Sequence, residues 1–186
     1  MQIEPAPLNG VWIITPKVHA DDRGFFYESY RRDILAEHGL NLDFVQDNHS
    51  RSAANVVRGL HFQWEPPMGK LMRVTSGRAF MVAVDIRIGS PTLGQWFGIE
   101  GSPSNPKQVY APAGFARGFA ALEEGTEIQY KCTGAYNQGH EGGILWNDPA
   151  VGIEWPIESP SLSGKDEIAQ TLEQWLNNPD SDNFKY

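Results

Sequence analysis

An all-β fold, a two-sheet jelly roll or similar barrel, is predicted by three features of this sequence. Short runs of β-branched and aromatic residues recur along the chain, among them residues 56–63 (VVRGLHFQ), 71–76 (LMRVTS) and 79–86 (AFMVAVDI). Turn signals separate such runs every ~8–12 residues, the spacing of all-β sandwiches and barrels, and 19 glycines and 13 prolines are spread along the chain to supply them. No repeat, linker or change of composition divides the 186 residues, a length suited to one domain with a real core.

The elements follow in order. Residues 11–18 (VWIITPKV) form the first apolar run, and Pro16 marks it as an edge strand. Residues 24–30 (GFFYESY) form the second, and residues 31–38 (RRDILAEH) predict a short helix closed by Gly39. Residues 44–50 (FVQDNHS) are polar and extended. Strands at 56–63, 71–76 and 79–86 come next, the last two joined by a tight SGR turn. Further strands are expected at 95–100, 108–111, 118–122, 127–133 and 143–146. Near the C-terminus, Ile168, Leu172, Trp175 and Leu176 recur at helical spacing, with Ser163 as the cap. Residues 177–186 are polar and predict a loose tail to the single domain, 1–186.

Composition narrows the function. A formal net charge of -8 repels long nucleic acid, though local arginines can still bind a small anion. No stretch approaches the ~18 apolar residues of a membrane helix. The first ten residues lack the basic and apolar regions of a signal peptide, so the cytoplasm is the expected compartment. Cys132 is the single cysteine; it can form no internal disulfide and reads as a small buried hydrophobe.

Alternation along the strands picks out candidate site residues. In 127–133, Ile128, Tyr130 and Cys132 share one face and Glu127, Gln129 and Lys131 the other. Tyr130 therefore points where apolar residues point, into the barrel. His61 lies on a strand two residues after a glycine, and Lys70 opens the next strand after a PPMG turn. Each also has an ordinary reading: a hydrogen-bonded histidine, a core tyrosine with a satisfied hydroxyl, a solvated lysine. A metal site is not predicted. Gln63 stands where a second histidine ligand would be, Arg117 cannot ligate a metal, and His19, His38, His49 and His140 have no ligand spacing.

Nine segments in order carry a resemblance: DDRGFFYESY (21–30), FVQDNHS (44–50), VVRGLHFQ (56–63), GKLMRV (69–74), APAGFARGF (111–119), QYKCT (129–133), EGGILWND (141–148), GIEWP (152–156) and LSGKD (162–166). Together they resemble the dTDP-4-dehydrorhamnose 3,5-epimerase family over nearly the whole chain. The resemblance implies a cupin-type double-stranded β-helix with a few short helices, no metal, no organic cofactor, and a homodimer whose DDRGFF region reaches the neighbour's site. It implies His61 as base with Asp166, Tyr130 as acid on the opposite side of the sugar, and Lys70 at the C4 oxygen. It also places Arg23, Glu28, Gln46, Asp47, Asn48, Arg58, Arg117, Glu141 and Lys165 at ligand-binding positions, with Tyr136 stacking on the thymine.

The implied reaction inverts C3 and C5 of a dTDP-linked 4-keto-6-deoxy sugar, and its chemistry suits these residue types. The C4 ketone acidifies the hydrogens on both neighbouring carbons. Histidine is basic near neutral pH, and a lysine cation can stabilise an enolate oxygen. Inversion needs a proton donor on the other face, and arginines suit a pyrophosphate. The family usually has GFAHGF where this chain has GFARGF, so Arg117 bears on the exact sugar, the nucleotide and whether both centres invert. Met81 replaces a more usual acidic residue. A single-centre epimerase is the main alternative; a ketoisomerase moving the carbonyl to C3 and a non-enzymatic sugar-binding cupin are others. Arg58 alternates away from His61, so a bulge or kink at Gly59 is expected to bring both to one site.

Overall fold

The computed structural model describes residues 1–186. In chain order the first strands are β1 (Gln2–Pro5), β2 (Trp12–Thr15), β3 (His19–Asp21), β4 (Gly24–Phe26), β5 (Gln46–Ser52), β6 (Val57–Gln63) and β7 (Lys70–Ser76). They are followed by β8 (Ala79–Asp85), β9 (Trp96–Gly101), β10 (Gln108–Ala111), β11 (Phe115–Ala121), β12 (Thr126–Cys132) and β13 (Glu141–Gly143). Three short α-helices are α1 (Arg32–Glu37), α2 (Gly164–Glu167) and α3 (Leu172–Leu176). No helix is long and apolar enough to cross a membrane.

Two antiparallel sheets face each other in the expected jelly roll. One runs β1-β2-β10-β7-β12-β5 and the other β13-β6-β11-β8-β9. The period-two pattern of the strands explains the layering. On β8, Met81 and Ala83 point between the sheets and meet Met72, Val74, Ile128 and Phe119. Val82 and Val84 point outward and meet Leu60, Phe62 and Trp175. Trp175 is fully buried, its ring centroid 4.5 Å from that of Phe62. Burying each such side chain stabilises the fold by roughly 1.5–3 kcal/mol. On the outer face of the six-stranded sheet, Leu35 and Leu40 cover Ile14, Leu71 and Tyr110.

Three expectations are corrected. Strand β2 is not an edge: Pro16 falls past its end, and β1, from the polar N-terminal stretch, pairs along it. The single C-terminal helix is two. Ser163 caps α2 as expected, but Thr171 starts a separate helix through a capping box with Gln174. Between them Gln170 bridges to Ile144 and Ile168 is exposed. Residues 177–186 are tied down rather than loose. Phe184 is buried against Phe62 and Trp175, and Tyr186 donates its backbone N–H to the Ile88 carbonyl at 3.0 Å. One buried aromatic residue in a polar stretch, Phe184, docks it into the outer core.

The bulge expected near Gly59 is present. Between β6 and β11 the register runs Arg117↔His61 and then Phe119↔Arg58, so Gly59 and Leu60 together oppose Gly118. The extra residue reverses the alternation and turns Arg58 to the side of His61. Gly59 has φ +128°, and a Cβ there would lie 2.7 Å from the Gly118 Cα and 2.9 Å from the Arg117 carbonyl oxygen. Both neighbours are backbone and cannot yield. Gly59→Ala is therefore expected to destabilise the fold by about 2 kcal/mol or more. Urea unfolding monitored by fluorescence checks this; a change under about 0.5 kcal/mol would refute the account of the bulge.

Candidate active site

The bulge opens onto a cavity of about 470 Å³ between the two sheets. His61 enters from β6, Lys70 from the first position of β7, Arg117 from β11 and Tyr130 from β12, while α2 brings Lys165 and Asp166. His61 and Tyr130 thus come from opposite sheets. Arg58, Tyr136 and Glu141 complete the polar lining.

His61 Nε2 lies 2.6 Å from Asp166 Oδ1. The two groups are 105 residues apart in sequence and meet because Ser163 caps α2 and presents Asp166 at its N-terminal turn. The Ser163 hydroxyl accepts from the Asp166 N–H at 3.2 Å. An ionised carboxylate only accepts, so Nε2 carries the hydrogen and Nδ1 is left as the basic nitrogen. Burial alone would raise the Asp166 pKa. Hydrogen bonds from His61, from Ser163 and from the Gly59 backbone outweigh it, and the carboxyl stays below its ordinary value.

Lys70 Nζ sits 5.1 Å from the centroid of the Tyr130 ring. Burial, and then the charge of Arg117, bring the Lys70 ammonium down to about 8. Burial raises the Tyr130 phenol, so it keeps its proton through neutral pH. At the rim, Glu141 Oε1 accepts from Lys165 at 2.5 Å and from the Tyr136 hydroxyl at 2.9 Å. Burial would raise Glu141, but these two partners hold its carboxyl below the usual range.

Arg58 lines the cavity but is held from outside it, and the remaining candidates lie beyond the lining. Arg58 reaches across to β5, donating to Ser52 Oγ at 3.0 Å and to the Arg51 carbonyl at 3.1 Å. Gln46 and Asn48 share the half-buried phase of β5 and hydrogen-bond to each other at 3.0 Å; Asn48 is opposite Tyr130 in the β5–β12 ladder. Asp47 is on the exposed phase, paired with Lys131 at 2.9 Å. Arg23, in the β3–β4 hairpin, and Glu28 are exposed outside the cavity, paired with Asp21 and Arg31. Ser50, Met72 and Phe119 line the cavity but were not singled out in the sequence. Alternation along QDNHSRS puts Ser50 on the phase of Gln46 and Asn48, a signal that could have found it. No three His, Cys, Asp or Glu side chains converge as a metal-binding group.

Known proteins resemble this chain over most of its length. Residues 5–174 match the dTDP-4-dehydrorhamnose 3,5-epimerase family. This chain belongs to that family. It is 53% identical over 169 residues to the dTDP-4-dehydrorhamnose 3,5-epimerase of Salmonella typhimurium, covering 89% of this chain and 92% of that one. The crystal structure of dTDP-6-deoxy-D-glucose-3,5-epimerase from Legionella pneumophila, in complex with dTDP-4-keto-L-rhamnose, superposes with a TM-score of 0.92 at 43% identity, covering 100% and 98% of the two chains. ChmJ, a 3'-monoepimerase from Streptomyces bikiniensis, is also similar, with a TM-score of 0.87 at 32% identity over 93% of this chain and 89% of that one. The chain is thus an epimerase, an enzyme of the isomerase class, on a cupin-type jelly roll.

The site works against the fold at Lys70. With its folded pKa near 8 and an ordinary value of 10.5, the unfolded chain holds more protons between those limits, so stability rises with pH across that window. Below about 8 the burial of the charge is felt in full. Lys70→Met is expected to stabilise the protein at pH 7 by roughly 1–3 kcal/mol, with the gap narrowing toward pH 10.5. Urea titrations at the two pH values check this, and a variant no more stable than wild type at pH 7 would refute it.

Proposed function

We propose that this enzyme inverts both C3 and C5 of dTDP-4-dehydro-6-deoxy-D-glucose, giving dTDP-4-dehydro-L-rhamnose, in the cytoplasm and without metal or organic cofactor. The observation that carries the reading is the approach of the His61–Asp166 pair and of Tyr130 from opposite sheets onto one cavity. A base on one face of a sugar ring and an acid on the other are what inversion at carbon requires.

In the proposed mechanism His61 removes the proton from C3 or C5, Asp166 holding the imidazole tautomer and stabilising the imidazolium. The electron pair moves to the C4 oxygen, where the Lys70 cation stabilises the enolate. Tyr130 then delivers its proton to the opposite face of the carbon. Both carbons adjoin the ketone, so one base and one cation serve both after a modest turn of the ring. Arg58 and Lys165 are proposed to meet the pyrophosphate and Tyr136 to stack on the thymine, with Glu141 ordering the last two. Gln46, Asn48 and Arg117 are assigned to the same ligand or to its surroundings.

A homodimer is part of the proposal. Phe25 and Phe26, on the β3–β4 hairpin, are 60% and 68% exposed, a placement that fits a neighbouring subunit's surface. Arg23 and Glu28 would then serve the neighbour's cavity, and Asp47 its approach. Sedimentation should give a dimer at micromolar concentration. Phe25→Asp with Phe26→Asp should give a folded monomer with at least about tenfold lower activity, the range in which whole-site contacts matter. A fully active monomeric wild type would refute the shared site.

NMR of the substrate incubated with enzyme in D2O tests the function itself. Deuterium should enter at both C3 and C5, and His61→Ala should abolish exchange at both. Tyr130→Phe should retain some exchange without inversion, since abstraction survives while protonation fails. Arg117 and the likeness to a 3'-monoepimerase favour one second reading, the single-centre epimerase. Deuterium at one carbon alone after prolonged incubation would establish that reading and refute the first.

A further inference from the structure

Arg117 is 2% exposed and forms no ion pair. Its Nη1 donates to three backbone carbonyls, those of Met68 at 2.6 Å, Ala111 at 3.2 Å and Pro112 at 3.1 Å. Its Nε and Nη2 are enclosed with no hydrogen-bond partner. Of the ionisable groups around it, Cys132 and Tyr110 are ordinarily neutral and Lys70 is a like charge, and burial brings even this guanidinium down to about 10. A buried charge without a counter-ion is expensive to keep, yet this one stands at the wall of the cavity. The three carbonyls it grips belong to the turn that leads into Lys70 and to the end of β10, which pairs with Lys70 through Ala111.

We propose that Arg117 is a positioning residue acting through Lys70: it pins the backbone that carries Lys70 and holds a fixed positive field on the Lys70 ammonium and the C4 oxygen beside it, without touching the substrate. The inference rests on the proposed place of Lys70 at that oxygen. Direct contact is disfavoured because the two free nitrogens of Arg117 are shut inside protein. The field on Lys70 comes from every side. Arg117 on β11 and Lys165 on α2 favour the neutral amine, Cys132 on β12 and Glu141 on β13 favour the ammonium, and the Tyr130 ring lies beneath it. Burial is the largest influence and Arg117 the next. An ammonium that titrates near 8 can shift its proton toward an enolate oxygen as charge develops there and take it back as the ketone reforms. A lysine at its ordinary value would hold its proton throughout.

The test compares the neutral variants Arg117→Met and Arg117→Gln with the charge-retaining Arg117→Lys. Two readouts are taken against pH: solvent-deuterium exchange into the 4-keto sugar nucleotide, and acylation of Lys70 followed by mass spectrometry. In wild type both should turn near pH 8. In the neutral variants the alkaline limb of exchange and the acylation midpoint should move up together by about one unit. There kcat should fall about tenfold with KM changed far less. Arg117→Lys should restore the wild-type midpoints. Glutamine is neutral yet polar, so the comparison of charges survives if methionine unfolds the chain. Unmoved midpoints in a folded neutral variant would overturn the proposal. So would the same shift in Arg117→Lys, or a rise in KM alone, which would mark a substrate contact. A wild type that exchanges no deuterium would defeat the proposed function, while the acylation midpoints would still decide the effect of Arg117 on Lys70.

Discussion

The contact on which the site depends is the close approach of two strand backbones at Gly59 and Gly118. A Cβ on Gly118 would stand 2.6 Å from the Arg58 carbonyl oxygen, as one on Gly59 would stand 2.7 Å from the Gly118 Cα. With no side chain at either position, β6 takes in its extra residue without leaving the sheet. Arg58 and His61 then reach one cavity while Leu60 and Phe62 stay in the outer core. Packing of the outer layer and placement of His61 are therefore set by the same two glycines.

Charge inside the cavity runs against charge on the whole chain. The protein carries a formal -8, but Arg58, Lys70, Arg117 and Lys165 all line one cavity, answered there by Glu141 and Asp166 alone. Each acid is committed, Glu141 to Lys165 and Asp166 to His61. The interior is thus a local cationic well suited to an anionic ligand. The burial of Lys70 and Arg117 that weakens the fold also removes the water that would screen them.

Much of this was legible in the sequence. Alternation fixed the inward direction of Tyr130 and Cys132 because β12 is half buried and unbroken. The clash between that rule and the placing of Arg58 by family likeness pointed to the bulge. Strand β1 was hidden because a polar strand at a sheet edge has no apolar period, and α3 because the Thr171 cap interrupts an apparently continuous helical pattern. Asp166 was found through the LSGKD segment, since no local rule links it to a histidine 105 positions away. The burial of Arg117 without an ion pair could not be read at all, because it depends on carbonyls from two other segments.

Helix α2 carries Lys165 and Asp166 side by side on a single four-residue turn. One side chain is held by the rim carboxylate and the other holds the imidazole. An anion that draws Lys165 away from Glu141 must tug the same turn that aligns His61. The rim and the floor of the cavity are thus tied through one turn, and a shift at either is passed to the other. Damage to the Ser163 cap would slacken both pairs at once.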